Sequence, residues 1–194
     1  MKKRAANVHR KTKETDVTLE LNLDGAGKYQ IDTGIAFLDH MLTHLSKHSK
    51  IDLLVKAKGD LKVDAHHTTE DIGICLGECL LKAVGDKKGI ARYGYSSVPM
   101  EDALANVSVD LSGRANFIYN VEYRTAKIGD FDVECLDGLL RSFCDNGKFN
   151  LHINVAYGTN SHHIAEAIFK ALGRALGEAV RIVGTDVPST KGLL

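Results

Sequence analysis

DAHHTTEDIGICLGECLLKAVG (residues 64–85) and NSHHIAEAIFKALGRALGEAV (residues 160–180) open alike, with two adjacent histidines and a glutamate three residues further on. Both continue with apolar residues at helical spacing, so each reads as a long amphipathic helix, the first closed by Gly85. Working outward, VTLELNLDG (17–25) alternates apolar and polar residues up to a turn and predicts a strand with one exposed face. GIAFLDHMLTHLSKHS (34–49) places Leu38, Met41, Leu42 and Leu45 on one stripe and predicts a helix. IDLLVKAKGDLKVDAHH (51–67) reads as two strands joined at Lys58-Gly59-Asp60.

The same order then returns. LANVSVDLSG (104–113) matches the first strand, and CLDGLLRSFCDNGKFNLHINVAYG (135–158) matches FLDHMLTHLSKHSKIDLLVKAKG (37–59) almost position by position. The chain is therefore an internal duplication with a period of roughly 90 to 98 residues. The predicted class is α+β, with half-domains at 1–90 and 91–194. Each half is a small antiparallel-rich sheet with two helices on one face.

Composition narrows the function. The 194 residues carry 25 basic and 25 acidic side chains, a balance that argues against a nucleic-acid protein. The opening MKKRAANVHRKTK is basic but short, and Glu14 and Asp16 follow at once. No apolar run has the length of a membrane span or a secretion signal. Cys75, Cys79, Cys135 and Cys144 form no close CxxC pair, so they read as small buried hydrophobes in a reducing cytoplasm. Nine histidines and no tryptophan leave imidazole as the unusual enrichment.

Residues four apart on a helix share a face, so His66 with Glu70, and His162 with Glu166, each aim a ring nitrogen and a carboxylate at one divalent ion. His67 and His163 point about a quarter-turn away, toward a different metal or a facing chain. His40 on the preceding helix is a further candidate ligand. Imidazole with carboxylate suits manganese, iron or zinc, and the lack of cysteine argues against structural zinc. A histidine pair at a helix start is often a surface or capping feature; its recurrence at equivalent points of a repeat favours a metal.

The chain resembles the imidazoleglycerol-phosphate dehydratase family. The likeness spans nearly the whole sequence through RKTKETDV at Arg10, GIAFLDHML at Gly34, DAHHTTEDIGICLG at Asp64, KKGIARYG at Lys87, DLSGR at Asp110, NSHHIAEAIFKALGRAL at Asn160 and VPSTKGLL at Val187. It implies two manganese ions per site, held by imidazoles and carboxylates from neighbouring subunits of a hollow 24-subunit particle. It implies dehydration of imidazole glycerol phosphate to imidazole acetol phosphate, a step of histidine biosynthesis. The ligand positions fall on His40, His66, His67, Glu70, His162, His163 and Glu166.

In the implied reaction, metal binding eases loss of the substrate's ring proton, and the ring's electrons expel the hydroxyl to give a diazafulvene-like intermediate. Loss of the adjacent C–H proton then gives an enol that becomes the ketone. Glu14 matches the acid/base position, and Glu70 combines ligation with proton transfer. Glu14 also belongs to the substrate contacts. Arg92, Arg114, Lys170, Ser189 and Lys191 match the phosphate-binding set, and arginine's planar fork suits that task.

The chain departs from the family at several points. The family reads EHFF where this sequence has DGLL, so an expected metal-binding histidine is Gly138. The repeat alone makes the same point, since FLDHML aligns with CLDGLL. A family glutamine is His44 here, and the usual PMDEAL is PMEDAL, with Glu101 and Asp102 reversed. The loss at Gly138 raises an alternative: a metal-binding assembly protein of the same fold with little dehydratase activity.

Overall fold

The computed structural model describes residues 4–192, which leaves Met1 to Lys3 of the basic opening and the last two residues outside it. The first half runs β1 (Ala5–Lys11), β2 (Thr15–Asn22), β3 (Tyr29–Asp32), α1 (Ala36–Ser49), β4 (Asp52–Gly59) and α2 (His66–Val84). The second half runs β5 (Tyr93–Met100), β6 (Ala103–Asp110), β7 (Asn116–Asn120), β8 (Lys127–Ile128), β9 (Phe131–Asp132), α3 (Glu134–Gly147), β10 (Asn150–Tyr157) and α4 (Ser161–Ala179).

The two four-stranded sheets have the same topology, β1-β2-β4-β3 and β5-β6-β10-β7. Two antiparallel pairings and one parallel pairing build each sheet, with β3 parallel to β4 and β7 parallel to β10. The duplicated α+β fold expected from the repeat is thus present, and its paired helices agree in length. The helices α1 and α3 each have 14 residues, and α2 and α4 each have 19. Val17, Leu19 and Leu21 of β2, like Ala105, Val107 and Val109 of β6, alternate inward and are buried. Their side chains meet the helices, which cover one face of each sheet.

One expected strand is absent. After Gly59 the chain turns through Asp60 to Ala65 and enters α2 directly. LKVDA alternates, but Leu61 and Val63 find no sheet edge and stay exposed at 38% and 69%. Gly59 lies so close to Thr68 of α2 that a Cβ there would collide with the Thr68 side chain, so the strand has to end against the helix it feeds.

The helices pair between halves: α1 packs on α4, and α2 packs on α3. Glycines on the long helices permit the close approach. A Cβ on Gly77 would meet the Phe143 carbonyl oxygen of α3 at 2.6 Å, and one on Gly173 would meet the Leu45 carbonyl oxygen of α1 at 2.9 Å. These equivalent contacts carry the first turn of α4 up to the middle of α1, which is where the histidines are.

Candidate metal centre

The start of α4 is fixed by Asn160, whose side-chain oxygen accepts from the backbone N–H groups of His162 and His163. Asp64 does the same for His66 at the start of α2, at 2.8 Å. From α4, His162 Nε2 lies 3.2 Å from Glu166 Oε2, as the four-residue spacing predicts. From α1, His40 Nε2 lies 3.3 Å from the same oxygen. The three donors fall within 4.8 Å of one another and form a group with metal-binding potential. Two imidazoles and a buried carboxylate make a set that fits a borderline divalent ion.

The other carboxylate oxygen, Glu166 Oε1, receives Lys170 Nζ at 2.6 Å, one helical turn along α4. It also lies 3.4 Å from His44 Nε2. Burial pushes the Glu166 carboxyl up, but the Lys170 hydrogen bond and the neighbouring cationic and imidazole groups outweigh it, holding the group down at about 2. Glu166 is an anion ready to ligate. The His44 imidazole is pushed down as well, to about 4, chiefly by burial, so it is neutral.

The second histidine of each pair turns aside. The rings of His66 and His67 make an angle of 82°, and those of His162 and His163 one of 87°. His67 Nδ1 lies 3.0 Å from Asp60 and 3.8 Å from Glu14, forming a second group of potential ligands. His163 Nδ1 lies 2.6 Å from Asp102. Asp102 also accepts from the Thr159 hydroxyl and from the backbone N–H groups of Thr159 and Asn160, and these bonds hold its carboxyl far below the usual range. In both pairs a carboxylate holds Nδ1 and leaves Nε2 outward, the arrangement that orients a metal-binding imidazole.

His66 and Glu70 remain apart from these groups. Among the described residues they join no set of three potential donors. Their counterparts His162 and Glu166 are completed by His40, and the residue of α3 equivalent to His40 is Gly138. The deficit expected at Gly138 is therefore local to the α2–α3 pair.

The phosphate-contact candidates divide between two places. Arg92 donates to Asp110 at 2.7 Å and to the Pro188 carbonyl oxygen at 2.9 Å, which brings the segment carrying Ser189 and Lys191 to the start of β5. Arg114 follows β6 at this same end, where Asp110 pairs with Tyr93. Lys170 contacts Met100 Sδ at the far end of β5, at 3.3 Å. The intervening strand spans about 26 Å at the usual strand rise, so one chain cannot bring Arg92 and Lys170 to a single phosphate.

Asp60 and Asp102 were not foreseen as the carboxylates that hold His67 and His163. The repeat carried a signal for Asp102: it and Glu14 each stand one residue ahead of equivalent strands, β6 and β2. The four cysteines are free and buried, as expected. No helix among the described residues is long and apolar enough to cross a membrane.

A duplicated α+β fold with an imidazole–carboxylate cluster between its halves places the protein among metal-dependent hydro-lyases. The family model described as imidazoleglycerol-phosphate dehydratase matches residues 33–176, and the chain belongs to that family. The enzyme of that name from Desulforudis audaxviator is 53% identical over 192 residues, covering 98% of each chain. The one from Clostridium botulinum is 54% identical over 198 residues, covering all of both. Among solved structures, imidazoleglycerol-phosphate dehydratase from Staphylococcus aureus matches with a TM-score of 0.84 and 38% identity, over 92% of this chain and 99% of that one. The Pyrococcus furiosus structure, described as IGPD in complex with (S)-C348, matches with a TM-score of 0.81 and 38% identity, over 96% and 100%.

Proposed function

We propose that the protein dehydrates imidazole glycerol phosphate to imidazole acetol phosphate in histidine biosynthesis, at a site between subunits. The observation that carries this reading is the convergence of His40 and His162 on Glu166 Oε2, at 3.3 and 3.2 Å, across the junction of the two halves. With this cluster intact in a chain of the dehydratase family, the assembly-only alternative loses its ground.

His40, His162 and Glu166 would hold one ion, and His66 and Glu70 the other. His67 and His163, turned aside with Nε2 outward, would each reach an ion on a facing chain. When bound, the ions polarise the substrate imidazole and lower the cost of its anionic form. Manganese is our choice among the ions this donor set accepts. Glu14 is exposed, beside His67, with room to take a proton from substrate carbon. Glu70 combines ligation with proton transfer. Arg92, Arg114, Ser189 and Lys191 bind phosphate from one subunit and Lys170 from another.

The 26 Å separation estimated from strand rise favours this shared site, and we assign the assembly as a 24-subunit particle. The half-domains divide at residues 90 and 91. The four buried thiols fit a reducing cytoplasm. The test is turnover of imidazole glycerol phosphate by metal-stripped protein before and after manganese is restored. Activity should appear only with the ion. A metal-replete protein with no turnover would overturn the assignment.

A further inference from the structure

We propose that Asp71 is a positioning residue for Glu14, fixing the turn that carries it through a chain of hydroxyl hydrogen bonds. The proposal rests on the dehydratase reading above, with Glu14 as the base. Glu14 sits in the turn between β1 and β2, and its own side chain is 56% exposed. The turn beneath it is fastened instead. Thr12 Oγ1 accepts from the backbone N–H groups of Glu14 and Thr15, at 3.1 and 2.9 Å. The Thr12 N–H donates to the Thr15 carbonyl oxygen at 2.9 Å, and the two hydroxyls lie 3.1 Å apart. The Thr15 hydroxyl donates to Asp71 Oδ2 on α2, which leaves the Thr12 hydroxyl to donate to Thr15. From β1, Arg10 Nε donates to Asp71 Oδ1 at 2.8 Å. These side-chain bonds all run toward one carboxylate, and bonds in such a chain strengthen one another.

The repeat shows that the fold does not need this network. The helix α4 packs on β5 and β6 as α2 packs on β1 and β2, yet the equivalent positions are apolar. Arg10 faces Val17 across its hairpin as Val98 faces Ala105. Thr15 and Ala103 begin β2 and β6, with Thr12 and Met100 three residues ahead of them. Asp71 follows Glu70 as Ala167 follows Glu166. Ala103 and Ala167 are fully buried, so the second half closes this junction with alkyl groups, whereas Thr15 and Asp71 are buried polar groups. Replacing a buried ion pair by apolar residues is often neutral or stabilising, so stability alone does not account for the network. The difference follows the use of the acidic residue on each turn. Asp102, equivalent to Glu14, has its carboxylate held directly by Thr159, Asn160 and His163. Among the described residues no hydrogen bond reaches the Glu14 carboxylate, and His67 stands 3.8 Å away. A base that takes a proton from substrate has to keep its carboxylate free, so its place is set from the backbone below.

The test uses the full-length, manganese-loaded protein. Thr15→Val (T15V) removes the hydroxyl with little change of shape. It should lower kcat by about tenfold or more, with KM and manganese content little changed. Thr15→Ser, which keeps the hydroxyl, should retain most turnover. In a Glu14→Gln background T15V should cost nothing further, because a group acting only through Glu14 then has nothing to position. A chain combining Arg10→Val, Thr15→Ala and Asp71→Ala takes the second half's own residues, should fold, and repeats the comparison if T15V folds poorly. Equal fold-losses in both backgrounds, or unchanged kcat in the folded variants, overturn the proposal and leave the dehydratase reading standing. Wild-type protein that binds manganese and shows no turnover overturns both.

Discussion

His40 and Gly138 are the fifth residues of two equivalent 14-residue helices, and only the first carries an imidazole. A Cβ built on Gly138 meets nothing within 4 Å, so the neighbours have not closed over the space. The steric penalty that a glycine-to-histidine change often brings in a packed helix is therefore absent at its first atom. Gly138→His should be accepted by the fold, with helix propensity adding a few tenths of a kcal/mol. We expect the variant to bind the ion at His66 and Glu70 about tenfold more tightly, and to melt no lower than the parent. Calorimetric titration beside thermal melting checks both. Equal affinity would mean that another group already fills the position.

Glu14 and Asp60 both approach His67 Nδ1, at 3.8 and 3.0 Å. Because Asp60 makes the shorter contact, removing the Glu14 charge should leave the ring in place. Glu14→Gln should retain its manganese while turnover falls about 100-fold or more, the scale of a general acid/base group. Parallel loss of metal and turnover would make Glu14 a ligand instead.

The sequence announced those parts of the molecule whose periodicity is reinforced by burial. Leu38, Met41, Leu42 and Leu45 are all buried as the stripe on α1 implies, and the repeat paired His40 with Gly138 correctly. The strands β1, β3, β5 and β7 escaped notice because they lie at the edges of their sheets, where fewer side chains are buried. LKVDA failed in the opposite sense: it has the alternation of a strand but no edge to join. Pairing of α1 with α4, which assembles the metal cluster, depends on glycine contacts between halves that no local pattern encodes. Asp102 meets His163 from 61 residues away, a contact at which only the repeat hints, whereas Asp60 reaches His67 from the turn seven residues before it.

The cysteines offer a check on the core that is independent of metal. Burial pushes the thiols of Cys75 and Cys79 up to about 12 and those of Cys135 and Cys144 up to about 11. Since the thiolate is the reactive form, a disulfide reagent at pH 8 should label the native protein slowly and all four thiols promptly in denaturant. Fast labelling of the folded protein would show that the core opens or that a cysteine is more exposed than this packing allows.

Arg114 and Lys170 provide the sharpest test of a shared active site. Arg114 lies beyond the Asp110–Tyr93 end of the paired strands, and Lys170 touches Met100 at the other end of β5. If both bind the phosphate of one substrate molecule, they must come from different chains. Arg114→Ala and Lys170→Ala should each lose most turnover as homogeneous proteins. Co-expressed in equal amounts, the two chains should form mixed particles in which about one quarter of the sites draw an intact Arg114 from one chain and an intact Lys170 from another, given random, symmetric assembly. Turnover should recover to that fraction of wild type. Substrate binding within a single chain predicts no recovery at any mixing ratio, because every chain then carries one defect in its own site.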